Sequence, residues 1–225
     1  MPDPVLVQAF CQVDTIKGNR YLDDAGKIMN EYDADFPEKR VGLDGLNMIN
    51  KDSPISQINV TVNRVWVSFT RPDTLQYVQD HARRIITRIC ELIVVTDATR
   101  FGLRTEHLVL IPDDLLLVRE TARNLLHADL LPTRLNSLTS FESVIEVEHS
   151  QFLTTSTRIH PARRLDNVSD DDRFPPFGIM LDTDSFRKDQ SVPLTDLRKF
   201  LRAAVSNLNS SLPALAIHVV SEVPQ

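Results

Sequence analysis

The sequence predicts an α+β fold built from mixed, largely antiparallel sheets covered by helices, and three observations lead there. Apolar residues alternate with polar ones at Ile58/Val60 and again at Val65/Val67/Phe69, the period of strands with one buried face. Leu75, Val78, Ala82, Ile85, Ile89 and Leu92 step by three and four, the period of a helix able to cover such a face. The runs follow one another as strand, helix, hairpin, helix and strand, then helix, hairpin, strand and helix, which is not the strict βαβ alternation of a parallel sheet. At 225 residues the chain suits a single compact unit, residues 1–225, or two packed similar halves, residues 1–111 and 112–225.

Taken in order, Val5, Val7, Ala9, Cys11 and Val13 share one parity and predict an opening strand. Helical spacing of Leu22, Ala25, Ile28, Met29 and Tyr32 predicts a helix that starts among acids at Asp23 and Asp24 and ends before Pro37. Gly42 and Gly45 read as turn or bulge residues. The runs around 58–62 and 65–69 are separated by Asn63-Arg64, which predicts a tight hairpin. Pro72-Asp73 then marks the start of the 74–92 helix, whose arginines at 83, 84 and 88 turn away from its apolar stripe.

A strand over 99–110 follows, and Pro112-Asp113-Asp114 opens a helix to about His127. Strands over 138–149 and 152–159 form a long hairpin, and the polar, acidic stretch from Pro161 to Pro176 reads as a surface loop. Phe177, Ile179 and Leu181 are one parity of a further strand. A helix is expected over 193–208, and a last strand over 212–220.

Composition narrows the function classes. Hydrophobic residues make up 42% and charged residues 25%, ordinary values for a chain with a packed core. Cys11 and Cys90 lie apart among apolar neighbours, as buried free thiols of a reducing compartment do. No basic leader precedes an apolar stretch and no apolar run is long enough to span a bilayer, so a cytoplasmic location without membrane association is expected. A net charge of -6 weighs against general affinity for a phosphate backbone. Six glycines form neither a Walker loop nor a GxGxxG turn, and no GxSxG elbow is present, so no cofactor is expected.

The segment Thr99-Arg100-Phe101-Gly102-Leu103-Arg104 resembles the signature of a sporadically distributed bacterial family of uncharacterised proteins, in which a long helix leads into a strand reading Thr-Arg-x-Gly-Leu-Arg. The opening strand, the hairpin near Arg64-Val65-Trp66 and the strand Leu181-Asp182-Thr183-Asp184 agree with that family in order, over most of the chain. The aromatic and Asn residues usual after the last arginine are replaced by Thr105-Glu106-His107. The resemblance implies a bacterial origin and the overall architecture, and no catalytic or binding residue.

Several side chains stand out chemically. Asp182 and Asp184, two apart on a strand, point their carboxylates to one face, the arrangement by which hard oxygen ligands bind a divalent cation; with Glu146 as a third ligand they suggest a metal-dependent enzyme on phosphoester substrates. The same acids are equally the water-facing side of a one-sided sheet. Trp66, opposite in parity to Val65 and Val67, either anchors a partner or lies beneath another layer. Arg100 and Arg104 share a strand face and either meet an acidic partner or pair with nearby carboxylates. Arg158, Arg163 and Arg164 make a local basic patch, either a nucleic-acid contact or part of a mixed-charge loop. None of the six histidines has ligand spacing. Together these features favour a non-catalytic protein-interaction or adaptor module that engages a protein partner or a second copy, one version of which uses the leucine-rich 115–131 segment, with the metal-dependent enzyme as the alternative.

Overall fold

The computed structural model of the chain describes residues 4–15, 21–110, 142–163 and 177–221. Its elements are β1 (Val5–Thr15), α1 (Tyr21–Glu31), β2 (Glu38–Gly42), β3 (Gly45–Ile49), β4 (Ile55–Val60), β5 (Arg64–Thr70), α2 (Leu75–Leu92), β6 (Asp97–Leu110), β7 (Ser143–Ser150), β8 (Leu153–Arg163), β9 (Phe177–Pro193), a short 3-10 turn (Leu194–Asp196) and α3 (Leu197–Ser221). The described strands form one nine-stranded sheet in the order β2-β3-β4-β5-β1-β6-β9-β8-β7, and every pairing is antiparallel. The plural sheets expected from the sequence are therefore a single sheet, because β1 and β6 pair with each other and join the two ends of the chain.

Alternation decides which side of that sheet is dry. Ala9, Cys11 and Val13 on β1, Ile58 and Val60 on β4, Val65, Val67 and Phe69 on β5, and Phe101 and Leu103 on β6 are fully buried on one face. The expected hairpin closes with Val60 opposite Val65, and the Thr61 N–H donates to the Arg64 carbonyl at 2.8 Å. Helix α2 packs on β1 and β5, α3 on β6, β8 and β9, and α1 beside α2 and β3, all on that face. Thr74 caps α2, its hydroxyl oxygen accepting from the Tyr77 N–H, and Leu75, Val78, Ala82, Ile85 and Ile89 go into the core as their spacing requires. Burial of each of the leucine, valine and isoleucine side chains contributes about 1.5–3 kcal/mol of hydrophobic stabilisation.

Four stretches depart from expectation. The strand predicted over 212–220 is instead the second half of α3, because Leu208, Leu212, Ala216 and Val219 continue the three–four spacing into the core. Pro213 sits inside that helix on its exposed side, where the missing hydrogen bond is tolerated. Gly42 and Gly45 do flank a two-residue turn, and it joins two strands for which the sequence carries no clear alternation, β2 and β3. Strand β9 runs on to Pro193 through a polar stretch, and β8 extends through Pro161 to Arg163, both held by their neighbours' ladders. The helix expected over 112–127, the 115–131 segment and the loop beyond Arg163 lie outside the described residues. No described helix is long and apolar enough to cross a membrane.

Candidate functional site

The other face of the sheet has no described helix packed on it, and its centre gathers most of the side chains that the sequence singles out. On β6, Phe101 and Leu103 point to the core, so Arg100, Gly102 and Arg104 must point to the open face. Ladder register then places their neighbours. Gln12 of β1 lies opposite Gly102, with Trp66 of β5 beyond it, and Phe186 of β9 lies opposite Gly102 on the other side. One row along, Phe10 and Asp184 flank Arg104, and in the next row Gln8 and Asp182 flank Glu106.

Two diagonal ion pairs tie β6 to β9. Arg104 donates to both carboxylate oxygens of Asp182, from Nε and Nη2, each at 2.8 Å. This is the bidentate fork that guanidinium geometry favours, and it reaches a carboxylate whose side chain is only 9% exposed. Arg100 donates from Nη2 to Asp184 at 2.5 Å. The hydrogen bonds that Arg104 donates to Asp182 raise its pKa, whereas burial, ahead of the opposing pull of Arg104, raises that of Glu106. A third pair, Arg64 with Asp14 at 2.6 Å, borders the same region.

Between these pairs lies a hollow of about 410 Å³ lined by Phe10, Gln12, Arg64, Trp66, Arg100, Gly102, Arg104 and Asp184. Gly102 makes its floor. A Cβ built there would stand 3.1 Å from the Gln12 side chain and 3.6 Å from the Arg100 guanidinium, so any other residue would begin to fill the space. Phe10 and Trp66 make its aromatic walls, 6.3 Å apart between centroids; the Arg104 guanidinium lies over Phe10 at 5.9 Å, and the Arg100 guanidinium over Phe186, outside the lining, at 5.5 Å. The Arg100 Nε is buried and has no hydrogen-bond partner, so this arginine retains a donor after pairing with Asp184.

The structure therefore brings Trp66, Arg100, Arg104, Asp182 and Asp184 together. The two arginines take the paired-carboxylate alternative, and Trp66 lies half-buried on the open face. A cation at Asp182 or Asp184 would have to displace a guanidinium. Glu146 stands on exposed β7, separated from Asp184 by Ser156 of β8, about two strand spacings or roughly 10 Å away. Among the described residues no three His, Cys, Asp or Glu side chains are grouped so as to hold a metal ion. Arg158 is exposed on β8 and paired with Glu142 at 3.1 Å. Arg163 ends β8 opposite Phe177, and Arg164 lies outside the described residues. Neither a protein-family model nor a curated protein matches the sequence.

Phe10, Gln12, Arg64 and Gly102 complete the hollow without having been expected there. Their signal was present in part: Phe10 and Gln12 have the parity opposite to Ala9, Cys11 and Val13. Burial pushes the thiols of Cys11 and Cys90 up to about 12, so neither supplies a nucleophilic thiolate near neutral pH.

Proposed function

We propose that this chain is a non-catalytic protein-interaction module whose working surface is the open face of its sheet, centred on the hollow over Gly102. The observation that supports this is the meeting of the two most distinctive strand motifs. Arg100, Gly102 and Arg104 from one, and Asp182 and Asp184 from the other, are held by each other's charges around a cleft walled by Trp66 and Phe10. Arginine and tryptophan are the residues by which protein interfaces anchor, and a cleft of this size accepts one or a few side chains of a partner. Because Arg64, Arg100 and Arg104 each contact a carboxylate, the surface favours a protein over a polyanion. The proposal keeps the bacterial origin that the family resemblance implies and the cytoplasmic location that the composition leads one to expect.

Outward from the central pair, the strands run β1-β5-β4-β3-β2 on one side and β6-β9-β8-β7 on the other, and each series ends in sequence with a covering helix, α2 or α3. This order supports two similar packed halves, divided between Leu92 and Asp97 rather than near Pro112, with the hollow over their junction.

The experiment is isolation of the tagged protein from its own cells as wild type, Gly102→Leu and Arg84→Glu, the last an exposed site on α2. The proposal expects one stoichiometric partner, or a second copy, with wild type and Arg84→Glu and its loss with Gly102→Leu. A monodisperse monomer in all three, or one partner retained by all three, would overturn it. A thermal shift of the purified protein with manganese that disappears in Asp182→Asn would instead favour the metal-dependent alternative.

A further inference from the structure

On the helix-covered side, away from the open face, a second cavity of about 620 Å³ lies between the start of β1, the β5–α2 connection and α3. Its walls are mainly apolar, from Val5, Leu6, Leu75, Leu208 and Leu212. Its polar points are few, and one of them is a buried imidazole. His107 of β6 is 3% exposed, and its Nδ1 is buried with no hydrogen-bond partner. Burial lowers its pKa to about 4, so the ring is neutral near pH 7 and offers one acceptor and one donor.

Across from it, Asn209 and Pro213 of α3 both line the cavity. Proline has no N–H to return to the carbonyl four residues earlier, which leaves the Asn209 carbonyl without its ordinary helical donor. A third wall is the beginning of α2, where Thr74 and Leu75 line the cavity. The first bond into the helix runs from the Val78 N–H to the Thr74 carbonyl, and the Thr74 hydroxyl serves Tyr77, so the N–H groups of Leu75 and Gln76 precede the helical ladder. Arg71 and Asp73, of opposite charge, stand on the same wall as the positive end of the helix dipole. A cavity with apolar walls and a few converging polar groups is the ordinary form of a small-molecule site.

We infer that this cavity binds a small amphipathic carboxylic acid, its carboxylate at the start of α2, its apolar body against Leu6, Leu208 and Leu212, and a polar substituent within reach of His107 and Asn209. This site is independent of the open-face reading: it uses the other side of the sheet and none of the same residues.

The test uses the full chain and three probes of equal length, decanoate, decanol and decylamine. Their binding is followed by titration calorimetry and by the imidazole nitrogen signals of the histidines. Decanoate is expected to bind at least about tenfold more tightly than the other two, equivalent to about 1.4 kcal/mol. It should move the His107 signals but not those of His81, which stacks on Tyr77 outside the cavity lining. In Leu6→Trp, a half-buried position at the cavity, this response should disappear while the far-ultraviolet spectrum is unchanged. Equal affinity for all three probes, no His107 response to decanoate, or an unaltered response in folded Leu6→Trp would overturn the assignment. If that variant does not fold, the contrast between His107 and His81 in the wild type decides.

Discussion

Removing the imidazole at position 107 should change how the fold responds to acid. His107 is 3% exposed on the core face of β6, and burial lowers its pKa from 6.5 to about 4. The folded-state value is depressed below the unfolded one, so below pH 6.5 the unfolded chain takes up a proton that the folded chain refuses. The stabilising contribution is fully present above pH 6.5, declines as pH falls, and is lost once pH reaches about 4. A separation of roughly 2.5 units at about 1.4 kcal/mol each gives a loss of about 3 kcal/mol from this residue. Urea unfolding followed by circular dichroism at pH 7, 6, 5 and 4.5 measures it, with His107→Leu as the reference in which other titrating groups cancel. The wild type should lose most of that 3 kcal/mol relative to the variant over this range. Parallel stability curves for the two proteins would refute the reasoning.

The backbone makes two further predictions. Val94 follows α2 at φ 55° and is 84% exposed, while the Val95 N–H closes the helix end on the Cys90 carbonyl, so Val94→Gly should relieve the left-handed strain and raise stability by about 1 kcal/mol in urea unfolding. Gly45→Ala should lower it by about 1–3 kcal/mol, because its Cβ would lie 2.6 Å from the Val60 carbonyl oxygen, a backbone atom of the paired strand. On the open face, Arg104→Ala leaves the Asp182 carboxylate without the two donors it receives at 2.8 Å and should cost about 1–3 kcal/mol by the same assay. Arg104→Lys should recover only part of that loss, since an ammonium cannot reproduce the fork.

Much of the architecture was legible because some elements state their period without ambiguity. In β4, β5 and α2 the polar positions are as regular as the apolar ones, and strand and helix periods do not overlap. Strands β2 and β3 were less visible: Glu38 to Gly42 contains no buried residue, so β2 is held by the ladder of β3 and not by any face of its own. The second half of α3 was misread for a different reason. Ile217, Val219 and Val220 have strand propensity and Pro213 looks like a break, yet the spacing of Leu208, Leu212 and Ala216 against the sheet outweighs both.

The candidate site divides along the same line. That Arg100 and Arg104 share a face, and Asp182 and Asp184 another, follows from a period of two. That the two faces are one, and that each arginine meets its carboxylate diagonally, depends on the β6–β9 register across some eighty intervening residues, for which no local signal exists. Phe10 and Gln12 join for the same reason, through the β1–β6 pairing.

Trp66 is the single tryptophan of the chain and stands at the rim of the hollow, so its reactivity reports directly on whether anything covers the open face. Hydroxyl-radical oxidation of Trp66, in cells and in the purified protein, is the decisive comparison. The account predicts strong protection of Trp66 in cells that is lost on purification and lost in cells carrying Gly102→Leu. Equal oxidation of Trp66 in all three settings would contradict it.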